Sequence, residues 1–354
     1  MLPGDAQRVQ RSVISSHTSV TGSNTTRQIP ARLFYDQQSI HRNTLVLEPT
    51  QHHITTATNT TSQTNMNSFI AQRPINTTKL YGEPMGPKAP NVYRIISNNI
   101  GCLGMDSIGN SKQNSLKDWL VQNEVDIVGW QEIGLAQHMF QKHERLAERL
   151  RDYRRKQIRV SSSNNKHEAI EKFQWGGTAT IAYDTLANMA RSSGADEDGI
   201  GRWSWIQLEG HNNRRIRVIS AYNPCRTTTS QFATVYAQQK RYWLSQHKDV
   251  CPRQKFRIDL CNLCSKWIQQ GEYILLLIDC NENLSLNLDL QSHLTAEPLN
   301  LVDPIRSKYP TDQPLPPTTT KGSYPIDGIF MSPEIADIVR GGWLELGVGF
   351  SDHR

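Results

Sequence analysis

Six apolar stretches of strand length each carry or run into a polar side chain that can bind a metal or a phosphate. This repeated ending constrains the chain more than any other feature. Residues 92–97 lead to Asn98 and Asn99, and 126–130 lead to Gln131 and Glu132. Residues 215–222 end on Tyr222 and Asn223, and 273–278 run into Asp279-Cys280-Asn281. The short stretch 325–330 holds Asp327, and 343–348 precede Ser351-Asp352-His353. Between the strands, apolar spacing at helical period predicts helices over 111–123, 137–156, 228–247 and 254–270. Helices inserted among many strands predict an α/β (α+β) chain, a four-layered sandwich of two packed mixed β-sheets flanked by helices.

Strand ends are where a rigid scaffold can aim a side chain held on a short loop. Carboxylates mixed with amide oxygens suit Mg²⁺ or Mn²⁺, hard cations that prefer oxygen ligands. Hydrolysis of a phosphodiester needs a Lewis acid, an activated water and stabilisation of developing charge, and this inventory contains candidates for all three. Each ending alone reads equally well as a turn or a cap, because Asp and Asn are turn formers. The ordered set carries the inference.

The same residues resemble the endonuclease/exonuclease/phosphatase superfamily, whose fold is DNase I-like. Ile95-Ile96-Ser97-Asn98-Asn99 resembles its first strand with a metal-site Asn. Val128-Gly129-Trp130-Gln131-Glu132 resembles its Gln-Glu motif, and Ser220-Ala221-Tyr222-Asn223-Pro224 resembles its phosphate-contacting strand. Ile278-Asp279-Cys280-Asn281, Ile326-Asp327-Gly328-Ile329-Phe330 and Ser351-Asp352-His353 resemble its remaining motifs. The resemblance spans about 93 to 354.

It implies that Glu132, Asn99 and Asp352 lie at a Mg²⁺ (or Mn²⁺) site, with Asn98 sharing the place of Asn99. It implies Asp279 as the group that orients or deprotonates water, and Asn281 and Tyr222 as phosphate contacts. His353 would be the donor to the scissile phosphate, with Asp327 fixing its tautomer, and Asn98 and Asn223 would bind substrate. The overall look is most similar to endonuclease domains of non-LTR retrotransposons. That implies a DNA substrate and a fused reverse transcriptase in a full-length element. A phosphoesterase on inositol phosphates, lipids or RNA, and an inactive remnant, are the rival readings. Three departures stand out: Gly101 where many family nucleases have an acid, Ile278 in place of Gly, and Gly328 in place of Tyr. The resemblance further implies a domain that stops one strand early, at Arg354.

Residues 1–88 read as a disordered tail and 89–354 as the domain. Thirteen of the twenty residues from 51 to 70 are Thr, Asn, Ser or Gln, too polar to offset chain entropy by burial. The patch Leu33-Phe34-Tyr35 is a candidate for docking. The chain carries a formal net charge of +6, of which 1–88 hold +4. Any nucleic-acid surface on the domain must therefore be local. The Arg-rich stretch 143–159 is one candidate, against the commoner reading of a solvated helix face. Trp175, Trp203 and Trp205 are candidate stacking surfaces, against the reading of core aromatics. Cys261 and Cys264, with Cys251 and His247, match no standard zinc spacing. No apolar run reaches membrane-helix length. The absence of a signal-peptide core and the sparse cysteines imply an intracellular chain, and a DNA substrate would place it in the nucleus.

Overall fold

The computed structural model describes residues 32–35, 80–82, 86–104, 107–152, 154–155, 157–168, 172–226, 233–286, 289–308, 315–345 and 351–353. The strands are β1 (Arg32–Tyr35), β2 (Leu80–Gly82), β3 (Val92–Asn99), β4 (Ile127–Gln131), β5 (Ile158–Ser163), β6 (Thr178–Tyr183), β7 (Ala190–Ala195), β8 (Trp203–Glu209), β9 (Arg215–Tyr222), β10 (Glu272–Asp279), β11 (Asp327–Met331) and β12 (Trp343–Glu345). The helices are α1 (Ser107–Gln122), α2 (Leu146–Arg149), α3 (Asp184–Asn188), α4 (Val235–Ser245), α5 (Pro252–Gln269), α6 (Asp289–Thr295), α7 (Pro304–Lys308) and α8 (Pro333–Ala336).

Two five-stranded sheets form, in the orders β1-β3-β4-β6-β5 and β11-β10-β9-β8-β7, while β12 and β2 make a separate pair. Both large sheets are mixed. β3 runs parallel to β4 and β9 parallel to β10, whereas β6 and β11 run antiparallel to their neighbours.

Pleat alternation divides each strand between two apolar environments. On the outer face of the first sheet, Ile96, Val128 and Trp130 pack with Leu116, Trp119 and Leu120 of α1. On the outer face of the second, Ile219, Leu276 and Ile278 pack with Phe256, Leu260 and Trp267 of α5 and Leu290 of α6. Between the sheets lie Ile95, Ile127, Val218, Leu275 and Leu277. This is the four-layered sandwich read from the sequence.

Gly129 marks a close approach of the sheets. A Cβ there would stand 2.7 Å from Leu277 Cδ1 and 2.8 Å from Leu277 Cβ. Gly129→Ala should therefore overpack the interface and cost about 1–3 kcal/mol. Urea unfolding measures it, and an unchanged midpoint would contradict this packing.

Several local expectations are revised. The helix expected over 137–156 is instead two single 3₁₀ turns, Gln137–Met139 and Lys142–Glu144, followed by the one-turn α2. Two polar side chains compete with the helical ladder. Gln137 Oε1 accepts from Leu146 N at 2.8 Å, and Asp152 Oδ1 accepts from Arg154 N at 2.8 Å. Such local side-chain bonds favour turns over helix. The arginines of 143–159 consequently present no basic helix face. Arg154 pairs with Asp118 and Asp152, and Arg155 pairs with Asp184 while donating to the carbonyls of Leu120 and Val125.

The expected helix over 228–247 starts at the Thr234 cap, with 227–232 outside the described residues. α5 begins two residues earlier than expected, on Pro252, whose fixed φ and missing N–H suit a first helical position. Arg32–Tyr35 and Leu80–Gly82 are strands inside the stretch read as tail. β1 extends the open edge of β3 in parallel register, giving partners to backbone groups a bare edge would leave unpaired. The rest of 1–79 lies outside the described residues. Among the described residues no helix is long and apolar enough to cross a membrane.

Candidate active site

Topology alone brings the polar strand endings together. β3 and β4 finish at one end of the first sheet, β9 and β10 finish at the same end of the second, and β11 begins there. Register sets Asn99 beside Gln131, and Asp279 between Tyr222 and Asp327. Toward this end the layer between the sheets changes from apolar to polar. Gln131 Nε2 donates to Ser220 Oγ at 3.1 Å and to Leu277 O at 3.2 Å. Ser220 Oγ donates to Trp130 O at 2.9 Å, and Thr180 Oγ1 to Ser204 O at 2.9 Å. These donors find partners across the sandwich, which helps fix how the two sheets sit against each other, while Gln131 Oε1 is buried without a hydrogen-bond partner among the described residues.

Asp279 is fully buried at the centre. Its Oδ2 accepts from Asn99 Nδ2 at 2.8 Å, and its Oδ1 accepts from the backbone N of Asn281 at 2.9 Å. Asn99 Oδ1 accepts in turn from Gly101 N at 2.9 Å. Asn99 thus orients Asp279 directly, in addition to any contact it makes with a metal. Asn281 adopts a left-handed φ of 49°, which Asn tolerates better than most residues. Its amide donates to Asn223 O at 2.8 Å, and Asn223 Nδ2 closes the loop by donating to Cys280 O at 2.8 Å.

His353 and Asp327 form a pair, Nδ1 to Oδ2 at 2.8 Å, with side chains 12% and 4% exposed. One ligand atom each from Asp279, Asp327 and His353 lies within 4.8 Å of the others, a group able to hold a metal ion. Two neighbours to which the sequence assigned no role hold this pair. Thr318 Oγ1 accepts from Asp327 N at 3.1 Å, and Ser351 Oγ donates to Asn99 O while accepting from His353 N at 3.1 Å. Ser351 lay in plain view inside the Ser-Asp-His motif. Thr318 sits in a Pro/Thr-rich loop whose composition gave no signal.

The remaining expected residues divide by position. Glu132 is half-buried with a left-handed φ of 51°, and its carboxylate lies near buried Tyr222. Burial, then the charges of Glu132 and Asp279, push the Tyr222 hydroxyl well above its ordinary value. Tyr222 therefore acts as a donor. Asn98 follows the pleat to the opposite face of β3 from Asn99, the face that also carries Ile96. That turns it away from Asp279. Asp352 is exposed, 3.6 Å from Lys321 Nζ. Cys280 is buried beneath the site, and Cys264 is buried in the α5 core.

Charge concentration shifts two groups. Burial, then the charge of Asp327, raises the Asp279 carboxyl well above the usual range, against the opposing effects of His353 and Asn99. Burial works against the imidazolium of His353, but Asp327 outweighs it, and the ring is pushed up to about 9. The folded value exceeds the ordinary 6.5, so this ion pair stabilises the fold fully below about 6.5 and fades as pH rises through about 9. NMR titration of the metal-free protein should place His353 near that upper value and return it toward 6.5 in Asp327→Asn. A His353 signal that titrates identically in both proteins would contradict the pairing.

No known family profile matches the chain, and no curated protein matches it by sequence. Solved structures do. The catalytic domain of Xenopus laevis APE2 aligns with TM-score 0.50 and 15% identity, over 73% of this chain and 88% of that one. The human Nocturnin catalytic domain with bound sulfate aligns with TM-score 0.48 and 17% identity, over 73% and 90%. An endonuclease/exonuclease/phosphatase family protein from Leptotrichia buccalis aligns with TM-score 0.39 and 14% identity, over 67% and 86%. Of these, the APE2 domain reaches a TM-score of 0.50, and at 15% identity that likeness speaks to architecture: the chain has the DNase I-like α/β sandwich fold.

Proposed function

We propose that this chain, on its DNase I-like fold, is a divalent-metal-dependent phosphodiester hydrolase that acts on DNA, of the kind encoded by non-LTR retrotransposons. The observation that carries the chemistry is the convergence of Asp279, Asn281, Asp327 and His353, with Asn99 and Glu132 beside them, at one end of the two sheets. The choice of DNA, and of a reverse transcriptase in the same polypeptide, rests on the ordered motifs of the sequence.

The donor set fits a hard cation. It is rich in carboxylate oxygen, and Asp327 Oδ1 is buried with no hydrogen-bond partner among the described residues. Glu132 and the neighbouring carboxylates would hold the ion. Bound there, a divalent cation supplies Lewis-acid polarisation of the phosphate and offsets its charge.

The chain's own groups account for the proton movements. Asp279, with its raised proton affinity, is suited to accept the proton of an attacking water. The Asn281 backbone N–H and Asn99 fix the orientation of that carboxylate. His353 keeps Nδ1 on Asp327, which leaves Nε2–H as its donor to the scissile phosphate. Tyr222 lies within reach of Glu132 and is held in its neutral, donating form.

Glu132→Gln tests the metal assignment. Half-maximal Mg²⁺ for DNA cleavage should rise by at least about 10-fold, in line with losses seen when the support of a metal site is removed. An unchanged metal requirement would remove Glu132 from the site. Cleavage of phosphoinositides with DNA left intact would move the substrate assignment away from nucleic acid.

A further inference from the structure

Phe173 and Trp175 stand out because the fold leaves two touching aromatic rings in water. They are 37% and 51% exposed, and their rings meet edge-on, 5.3 Å apart at 78°. Trp203 is buried, and Trp205 packs against Trp267. Gln174, between the two exposed rings, is buried and anchors the segment. Its amide donates to Asn165 O at 2.7 Å and its backbone N to Gly134 O at 3.0 Å. Alternation along the extended backbone then turns both aromatics outward.

This segment is tied to the residues that follow Glu132. Ile133 N donates to Gly177 O at 3.3 Å, Gly134 N to Gly176 O at 3.0 Å, and Ala136 N to Lys172 O at 2.8 Å. Leu135 and Phe173 form an antiparallel bridge. The aromatic pair therefore rides on an arm fixed in register to the loop that carries Glu132. Gly176 and Gly177, with φ of 79° and 83°, turn that arm into β6. The surroundings are basic. Lys172 reaches Glu144 at 2.5 Å and lies over the Phe140 ring, and the exposed cations Lys142 and Arg145 lie close by on the same segment as Glu144.

Two touching aromatics left in water, on a segment paired with the loop that follows Glu132, mark a contact surface. We propose that Phe173 and Trp175 form a stacking platform for an unpaired base of the substrate strand, whose phosphate lies at the Asp279–His353 site. This rests on the phosphodiesterase reading and adds an unpaired base of the strand as what the chain grips. A base offers a π-face to the rings, and the adjoining phosphates meet Lys142, Arg145 and Lys172.

The test is fluorescence anisotropy of a labelled single-stranded DNA oligonucleotide with the full chain in EDTA, where cleavage is stopped. Trp175→Ala should weaken binding by roughly 5- to 150-fold, the range for losing one stacked base. Trp175→Phe should keep most of the affinity. Both variants change an exposed residue, and an unchanged thermal midpoint verifies that they fold. Equal affinity for wild type and Trp175→Ala overturns the proposal. So does failure of the wild-type chain to bind the oligonucleotide. Trp175-dependent binding to phosphatidylcholine vesicles doped with phosphatidylinositol bisphosphate, without oligonucleotide binding, would assign the platform to a membrane instead. Hydrolysis of bis(p-nitrophenyl) phosphate by the wild-type chain reports on the catalytic reading separately, so the two ideas fail independently.

Discussion

Asp279→Asn should lower phosphodiester cleavage by about 10²–10⁴-fold, the range a positioned acid–base group contributes, while leaving the metal-free protein folded. The two effects separate because the same burial causes both. Asp279 is fully buried, and its proton affinity is raised first by that burial and then by Asp327. A carboxyl whose folded pKa lies above its unfolded value favours the fold at low pH and loses that contribution as pH rises through the folded value. At neutral and higher pH the charged form therefore opposes folding. Asn carries no such charge, so the variant's stability should depend less on pH in that range.

The substitution has its own cost. Asn99 Nδ2 and Asn281 N both donate to the carboxylate, and an amide offers only one acceptor. One donor is left unpaired, a loss of about 1–3 kcal/mol that offsets part of the gain. Kinetics and urea unfolding across pH measure both sides. Activity within tenfold of wild type would remove Asp279 from the chemistry.

Arg202→Ala should be the most damaging substitution for the fold, at about 3–5 kcal/mol, because removing one partner strands a buried opposite charge. Arg202 is 2% exposed. It meets Asp196 through Nε at 3.0 Å and Nη2 at 2.7 Å, and Asp259 of α5 through Nη1 at 2.6 Å. Asp198 is a third partner of the same guanidinium. The guanidinium also lies over the Trp203 ring, 4.2 Å from its centroid. The Asp196 side chain is fully buried and would lose its only cation in this cluster. Arg202→Lys should fall between the two, since a single ammonium cannot hold Asp196 in two places and reach Asp259. Thermal melts order the three proteins, and a Tm for Arg202→Ala equal to wild type would show that the cluster contributes nothing.

The strands around the site were legible because buried strands announce themselves. The run 273–278 is apolar and 215–222 is mostly apolar apart from Arg215 and Arg217, and they appear as β10 and β9 with nearly the expected limits. Their endings were legible for the same reason: Asp279, Tyr222 and Glu132 interrupt apolar runs where no packing demands them. The helix expected over 137–156 failed because its apolar spacing was real but local polar bonds from Gln137 and Asp152 won. Asn98 and Asn99 could not be ranked without the pleat, and one residue of register decides which faces Asp279. Arg202 and Thr318 were invisible because no local pattern marks a buried arginine or a threonine acceptor, even where partners such as Asp196 and Asp327 lie close in sequence. Trp175 read as one of several candidate stacking residues, and only its exposure separates it from Trp203 and Trp205.

The most direct measurement is nicking of supercoiled plasmid by the full chain in Mg²⁺, run beside EDTA and beside a protein carrying both Asp279→Asn and His353→Ala. Relaxed plasmid should accumulate with the wild-type chain in Mg²⁺ and with neither control. Nicking that persists at the wild-type rate in EDTA, or in the doubly substituted protein, would contradict a metal-dependent phosphodiesterase centred on Asp279 and His353.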